Sequence, residues 1–494
     1  MADEEFDVLV VGGGITGAGV ALDAAARGLK TAIVEARDWA SGTSSRSSKL
    51  VHGGLRYLAQ REFRLVAQNL AERQRLLHNA PHLVKPLPFL IPMLTKDGRP
   101  PHKAITKAYR SALWMYDLAG GARIGHRHQR LSGADAATLA PGIRAGAIGS
   151  GFIYWDAWAD DARLTLTLAR TAVLRYGAAA ANYSAVESLS TGSDGRARGV
   201  RLKEGPEVRA RVVINATGVW ADFLGQSDSS SSIRPAKGVH VVVPSDRFEM
   251  KSAVVLPVPG DRRSIFAIPW AGRTYIGTTD TDYEGELGDP SCTDSDVEYL
   301  LNAVNAVAAV PLSPADVVGR WAGLRPLLTG AKRERTADLS RRHAVTTDDR
   351  GVVTVTGGKL TTYRAMAADA MDAAAKVLGH SIGRCPTRSL KIWAQDSTPA
   401  RPDDVPTSTW EHLVGRYGSE AGAVHSLCVA NPTLAEPLIP GLPYLRAEAV
   451  WGAKEEMART PADILERRTR AALLDERGSD QARAGVESLI SSVV

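Results

Sequence analysis

The length and composition of the chain indicate a large folded protein with more than one compact unit. It has 494 residues, of which 44% are hydrophobic and 23% charged, as in globular proteins and unlike disordered or fibrous chains. The 60 basic and 54 acidic residues give a net charge of only +6, so no nucleic-acid partner is expected. The three cysteines are far apart and form no CxxC pair, which argues against a disulfide framework or a metal centre.

The N-terminal segment predicts a nucleotide-binding βαβ unit. Strand, glycine-rich turn, helix and second strand are expected at residues 6–11, 12–17, 18–27 and 30–34. The motif glycines are Gly12, Gly14 and Gly17, and Glu35 ends the second strand. Such a turn lets backbone N–H groups approach a pyrophosphate, and the acid accepts hydrogen bonds from ribose hydroxyls. The complete arrangement predicts a dinucleotide cofactor.

Residues 41–54 favour FAD over NAD as that cofactor. They form a loop rich in hydroxyl groups and glycine directly after the second strand. Such a loop offers many hydrogen-bond donors to a second phosphate and to a flavin ring. On composition alone, a solvent-exposed linker remains the alternative.

The next segments bear on membranes. Residues 83–94 are apolar but too short to cross a bilayer and contain three prolines. Residues 96–130 combine lysines and arginines with Tyr109, Trp114 and Tyr116, a pattern typical of a solvated basic face or of a membrane-contacting surface. The acidic N-terminus predicts no signal peptide. We therefore expect a protein on the cytoplasmic side that is either soluble or peripherally associated with a membrane.

Later elements repeat the strand–turn–helix pattern. A strand at 212–216 ends in a small-residue turn at Thr217 and Gly218, which predicts backbone against the cofactor. A β-rich block follows at 238–282. A strand at 352–356 leads through a glycine pair and Lys359 into a helix, which suits an anion but lacks the spacing of a P-loop. The acids at the start of the helix predicted from residue 160 need no catalytic role.

In this order, the motifs resemble those of the FAD-dependent glycerol-3-phosphate dehydrogenases. Besides the glycine loop they are SSRSSKLVHGGLRYL at 44–58, KGVH at 237–240, IGTTDTDY at 276–283, GLRPLL at 323–328 and GGKLTTYR at 357–364. The resemblance covers essentially the whole chain, including the segment ERRTRAALL near its end. Related oxygen-using oxidases carry an insertion between GTTDT and GLRPL. Here only residues 282–322 separate them, which favours a dehydrogenase.

The resemblance implies an α/β fold with a glutathione-reductase-like FAD-binding domain, a β-rich substrate domain and a C-terminal all-α domain. The expected boundaries are 1–80 plus 150–225 plus 340–380 for the FAD-binding domain, 81–149 plus 226–339 for the substrate-binding domain, and 397–494 for the helical domain. The implied reaction oxidises sn-glycerol 3-phosphate to dihydroxyacetone phosphate and passes the electrons to membrane quinone. The expected partners are this substrate, the quinone and an anionic membrane surface, and a homodimer is left open.

The resemblance also implies roles for particular residues. The FAD contacts would be Gly12, Gly14, Gly17, Glu35, Ser44, Ser45, Ser47, Lys49, His52, Thr217, Gly218, Leu360 and Thr361. The substrate contacts would be Arg56, Tyr57, Arg325, Arg341 and Lys359. His240 would be the general base, with Arg325 and Lys359 completing the catalytic set.

The chemistry of the reaction agrees with these residue types. Removing a proton from the C2 hydroxyl needs a base that titrates near neutrality, and histidine is the natural one. A phosphate dianion needs charge-assisted donors, which arginine supplies in pairs. Without the resemblance, His240 in its valine-rich strand would be interpreted as a core histidine. Three alternatives stay open: a soluble oxidase that uses oxygen, an FAD amino-acid oxidase that binds a carboxylate, and a non-catalytic flavoprotein or membrane-associated binding module.

Overall fold

The computed structural model describes residues 1, 4–59, 61–95, 103–224, 233–261, 263–328, 342–395 and 397–493. Within them the strands are β1 Glu5–Val11, β2 Thr31–Val34, β3 Leu50–Val51, β4 Val84–Leu94, β5 Gln129–Ser132, β6 Ile148–Ala159, β7 Ala179–Ala181, β8 Val186–Thr191, β9 Ala197–Leu202, β10 Glu207–Asn215, β11 Ile233–Pro244, β12 Ala253–Pro257, β13 Ser264–Trp270, β14 Arg273–Gly277, β15 Thr281–Asp282, β16 Gly319–Leu328, β17 His343–Thr347 and β18 Val353–Gly357. The helices are α1 Ile15–Ala26, α2 Arg56–Ala59, α3 Phe63–Asn79, α4 Lys103–Leu118, α5 Gly133–Leu139, α6 Asp161–Tyr176, α7 Asp294–Asn305, α8 Tyr363–Leu378, α9 Thr407–Tyr417, α10 Ala421–Ala430, α11 Arg446–Glu455, α12 Ala471–Leu474 and α13 Glu476–Ser491.

The first sheet holds the predicted βαβ unit at its centre. Its order is β17-β18-β10-β1-β2-β7, with β9 also on β10 and β8 on β9. The strands β18, β10, β1, β2 and β7 run parallel. In the central strand β1, Phe6 and the run from Val8 to Val11 are apolar and buried, as expected of a parallel strand covered on both faces. The helices α1, α6 and α8 pack together against one face.

The second sheet is mainly antiparallel. Its order is β15-β11-β14-β13-β12-β4-β6-β3, with β16 on the other edge of β11 and β5 on β6. The apolar stretch with the three prolines is the long strand β4, which pairs with β6 along its length. The helices α5 and α7 cover a separate apolar core on this sheet.

The C-terminal segment is helical, as predicted. Its helices α9, α10 and α11 enclose a small core around Trp410, Leu413 and Val450. A π-helical turn, Asp463–Arg468, precedes α12. The predicted fold class is confirmed, and the domain boundaries stay a prediction. Two strands of the second sheet, β3 and β6, lie in segments that the sequence analysis gives to the FAD-binding domain. Within the described ranges, none of the helices has both the length and the apolar character that a membrane crossing requires.

Candidate active site and cofactor groove

A groove of about 540 Å³ lies at the carboxyl ends of β1, β2, β10 and β18. The turns that follow these parallel strands meet at one edge of the sheet, which is where open α/β sheets bind their ligands. The predicted cofactor residues that line it are Gly12, Gly14, Glu35, Ser44, Thr217, Gly218 and Leu360. The sequence motifs therefore come together in one elongated cavity.

The glycine turn leaves no room for side chains. Gly12 has a φ of +111°, in the region that favours glycine, and a Cβ there would lie 2.6 Å from the carbonyl oxygen of Ala216. A Cβ on Gly17 would lie 1.8 Å from the carbonyl oxygen of Gly12. Helix α1 thus packs directly onto the turn, and its N-terminus faces the groove, as a pyrophosphate site requires.

We expect Gly17→Ala to weaken FAD binding. The added methyl group must push α1 away from Gly12, at a cost of roughly 1–3 kcal/mol for overpacking. The measurement is flavin absorbance per protein after purification, with the melting temperature as a check on folding. Gly422→Ala is the matched control, because nothing lies within 4 Å of a Cβ at Gly422. Full flavin occupancy in Gly17→Ala would contradict the assignment.

Glu35 is fixed at one side of the groove. Its carboxylate accepts hydrogen bonds from the backbone N–H groups of Gly13 (2.6 Å) and Arg37 (2.9 Å). Burial raises its pKa above the usual value, although these hydrogen bonds oppose the shift. The side chain is oriented by the backbone in the position that the fingerprint assigns to a ribose-binding acid.

A second cavity, of about 180 Å³, adjoins the groove and shares five lining residues with it. The shared residues are Thr43, Pro326, Gly358, Lys359 and Leu360. The predicted residues that line this second cavity, which we call the small pocket, are Ser47, His52, Tyr57, His240, Arg325, Lys359, Leu360 and Thr361. The three members of the expected catalytic set, His240, Arg325 and Lys359, therefore line one space beside the groove.

His240 lies on β11 between two neighbouring strands. Its strand partners are Gly277 on β14 and Trp321 on β16. The imidazole stacks on the indole of Trp321 at 4.7 Å, and its Nε2 lies 2.9 Å from Oγ of Ser48. Burial lowers the pKa of His240 well below 6.5, and the charges of Lys49 and Arg325 lower it further. The ring is therefore neutral at pH 7, and in the free protein it is a weaker base than the base titrating near neutrality that the sequence analysis expected.

Arg325 reaches the small pocket from β16 and is held by the loop after β14. Its guanidinium contacts the carboxylate of Asp280 at 3.1 Å and Oγ1 of Thr278 at 3.0 Å. A Cβ on Gly238 would lie 2.4 Å from one of its nitrogens, so this glycine on the neighbouring strand provides the space for the guanidinium. Such fixed placement suits recognition of a planar or tetrahedral anion.

Lys359 stands where β18 turns into α8. The glycines before it, Gly357 and Gly358, have φ values of +72° and +81°, which the turn requires. Its ammonium lies 3.9 Å from the centre of the Tyr57 ring, a cation–π contact. The lysine thus carries its charge at the boundary between the groove and the small pocket.

Several predicted residues lie elsewhere. Three of them line neither cavity: Ser45 and Lys49 are buried, and Arg56 is exposed on α2. Gly17 does not line the groove either, and it contributes by letting α1 pack against the glycine turn. The ammonium of Lys49 lies 3.4 Å from Asp161 and 4.4 Å from the centre of the Trp321 ring. Burial lowers the pKa of Lys49 to about 8. Arg341 lies outside the described residues.

Three residues that contact His240 or Arg325 were not predicted from the sequence. Ser48 contacts His240, Trp321 stacks on it, and Asp280 anchors Arg325. Each lies within or beside a quoted motif, and this proximity is the only signal that the sequence offered.

Comparison with known proteins agrees with this geometry. Residues 7–364 match the family model of FAD dependent oxidoreductases, and residues 353–494 match the C-terminal domain of alpha-glycerophosphate oxidase. Glycerol-3-phosphate dehydrogenase 2 of Mycobacterium tuberculosis is 42% identical over 99% of this chain and 85% of its own length. The human mitochondrial glycerol-3-phosphate dehydrogenase is 36% identical over 98% of this chain and 70% of its own.

The solved structures give the same result. The glycerol-3-phosphate dehydrogenase of Bacillus halodurans, complexed with FAD, superposes with a TM-score of 0.75 at 30% identity, over 100% of this chain and 96% of its own. The L-alpha-glycerophosphate oxidase of Mycoplasma pneumoniae has the same fold. It superposes with a TM-score of 0.61 at 20% identity, over 78% of this chain and 98% of its own.

FAD fits the residues that this chain provides. The glycine turn excludes side chains where a pyrophosphate would approach, and Glu35 faces the groove. The hydroxyl-rich loop and the Lys359 turn line the rest of the cavity. FAD is thus the cofactor, and the chain belongs to the family of FAD-dependent glycerol-3-phosphate dehydrogenases.

Proposed function

We propose that this protein oxidises sn-glycerol 3-phosphate to dihydroxyacetone phosphate and passes the electrons to membrane quinone. The observation that carries the first part is the small pocket, which joins a neutral histidine to two cationic side chains beside the cofactor groove. The names of the relatives in both comparisons support the same substrate.

The residues divide the chemistry between them. FAD, when bound, supplies the acceptor for the hydride from C2. His240 removes the proton from the C2 hydroxyl, since its neutral ring has a lone pair available at pH 7. Arg325 and Lys359 bind the phosphate and so orient C2 toward the groove. The negative phosphate also raises the pKa of His240, which increases its basicity once the substrate is bound.

The test is a substrate panel with a soluble quinone analogue as acceptor. We expect dihydroxyacetone phosphate from sn-glycerol 3-phosphate and no turnover of glycerol, glycine or proline. Turnover of an amino acid in place of the phosphate ester would establish the amino-acid oxidase alternative. Equal rates with oxygen and with the quinone analogue would establish an oxidase and contradict the proposed acceptor.

The quinone proposal requires access to a membrane, and α4 supports it. Within the basic stretch predicted at 96–130, residues 96–102 lie outside the described residues and the next sixteen form this helix. Its exposed apolar side chains are Ile105 (50%), Tyr109 (38%), Trp114 (45%), Met115 (42%) and Leu118 (82%). Lys103, Lys107 and Arg110 are exposed on the same helix. This combination is typical of a helix that lies in a membrane interface.

We expect binding to anionic liposomes that weakens with salt and falls when Lys103, Lys107 and Arg110 become glutamine. Each basic residue near an anionic surface contributes about 1 kcal/mol, and salt screens this attraction. Co-sedimentation measures the effect. The matched control replaces three exposed residues on and directly after β9 with glutamine, namely Arg198, Arg201 and Lys203. Equal loss of binding in both triple variants would contradict docking through α4.

A further inference from the structure

The loop between β2 and β3 contributes to both cavities, yet it contains little regular structure. Only a short 3-10 turn, Thr43–Ser45, lies within it. Ser44 lines the groove, Ser47 lines the small pocket, and Ser48 contacts His240. Because the loop has few backbone hydrogen bonds of its own, contacts from other elements must hold it in position.

Strand β16 supplies some of these contacts, since Leu324 accepts from Thr43 and Trp321 donates to the carbonyl of Ser47. Others come from the segment Glu466–Arg470, in the C-terminal region matched by the second family model. Asp38, at the start of the loop, is fully buried. Arg468 donates to both of its carboxylate oxygens, at 2.7 and 2.8 Å, and Arg467 donates to one of them at 2.6 Å. Although burial raises the pKa of Asp38, the two guanidinium charges lower it overall. The carboxylate thus stays ionised and bound.

Arg470 holds the other end of the loop. Its guanidinium donates to the backbone carbonyl of Ser45 and, at 3.1 Å, to the carboxylate of Asp161. The other oxygen of Asp161 accepts from the backbone and side chain of Ser47 (3.0 and 2.7 Å) and lies 3.4 Å from the ammonium of Lys49. Asp161, at the start of α6, therefore joins the C-terminal arginine to the loop.

These groups are buried together, which makes the arrangement sensitive to single changes. The side chains of Asp38, Asp161 and Arg470 have no exposed surface, and that of Arg468 is 1% exposed. Removing one partner of a buried ion pair leaves an uncompensated charge. The loop would then shift to give that charge a new partner.

We propose that Arg467, Arg468 and Arg470 are positioning residues for the cofactor site. They hold the loop from Asp38 to Lys49 in the conformation that binds FAD and places Ser48 against His240. The C-terminal region would then be part of the cofactor site rather than an accessory cap. None of the three arginines lines the groove or the small pocket, so their effect on FAD acts through the loop.

The central test is Arg470→Lys, which keeps the charge but has one nitrogen in place of the two with which Arg470 donates to Glu466 and to Ser45 and Asp161. FAD affinity is measured by fluorescence titration of the apoprotein, with circular dichroism and melting temperature for folding. We expect the Kd for FAD to rise at least about tenfold. We also expect faster tryptic cleavage after Arg46 in the variant, because the loop opens.

The matched control is Arg170→Lys. Arg170, on α6, forms a largely buried ion pair with Glu420 of the C-terminal region at 2.6 Å and lies 4.0 Å from Glu456. It has no contact with the loop among the described residues. The Arg170→Lys substitution should lower the melting temperature without changing the Kd for FAD. An equal rise in Kd in both variants would overturn the proposal, because it would assign the effect to general docking of the C-terminal region.

A milder variant covers the case in which Arg470→Lys does not fold. Arg467→Gln removes one hydrogen bond to Asp38 and one to Asp463, and leaves the paired bonds between Arg468 and Asp38 in place. An intermediate rise in the Kd for FAD supports the proposal. A folded Arg467→Gln protein with wild-type Kd and wild-type cleavage after Arg46 overturns it. Neither readout depends on the identity of the substrate.

Discussion

Replacing His240 with alanine is expected to slow reduction of the flavin by sn-glycerol 3-phosphate roughly 10²–10⁴-fold, the usual contribution of a general base. The reason is that the ring is neutral, buried and held between Ser48 and Trp321 on the wall of the small pocket. Anaerobic stopped-flow absorbance measures the rate. His380→Ala, at an exposed position, is the control.

The pH dependence gives an independent readout. Because burial and two nearby cations depress the pKa of His240 in the free enzyme, its acid limb in kcat/KM should lie below pH 6.5. The bound phosphate should raise that pKa, so the acid limb in kcat should lie at higher pH than the limb in kcat/KM. A phosphate monoester titrates near pH 6, so a limb that survives in the variant belongs to the substrate. An unchanged reduction rate in His240→Ala would move the role of base to another residue.

The second large effect is expected at the phosphate clamp. Arg325→Lys keeps a charge but loses the fixed fork that Asp280 and Thr278 orient. Removing a charge-assisted contact of this kind costs about 2–5 kcal/mol, so kcat/KM should fall by at least about thirtyfold while the FAD content stays normal. Lys359→Ala should likewise lower kcat/KM and leave the FAD content normal.

The control for the clamp lies on the same strand. Arg320 of β16 forms an exposed pair with Glu476 at 3.1 Å, and Arg320→Lys should leave kcat/KM unchanged. Asp280→Asn should resemble Arg325→Lys, because the guanidinium then loses its charged partner. Wild-type kcat/KM in both Arg325→Lys and Lys359→Ala would refute the clamp.

Much of the fold could be predicted because its signals are local. The glycine turn, β1 and Glu35 follow one another in the sequence, and each has a conformational reason that can be stated without a partner. The turn after β18 could be predicted in the same way, because a glycine pair before Lys359 indicates positive φ values.

The surroundings of the site could not be predicted in the same way, since they depend on contacts between distant residues. Arg470 meets Ser45 and Asp161 only in the folded chain, and no periodicity marks such a pair. The acids at the start of α6 were interpreted as favourable for the helix N-terminus alone. Asp160 does cap the helix, whereas Asp161 also accepts two hydrogen bonds from Ser47 in the loop between β2 and β3. The resemblance assigned Lys49 to FAD, but only the structure shows its side chain against Asp161.

The most direct test of the proposed function is anaerobic bleaching of the enzyme-bound flavin. The oxidised absorbance band should disappear on addition of sn-glycerol 3-phosphate and persist with glycerol, sarcosine or proline. The reduced enzyme should regain the band quickly with a quinone and slowly with oxygen. A flavin that stays oxidised with the phosphate ester, or that is bleached by an amino acid, would contradict the account.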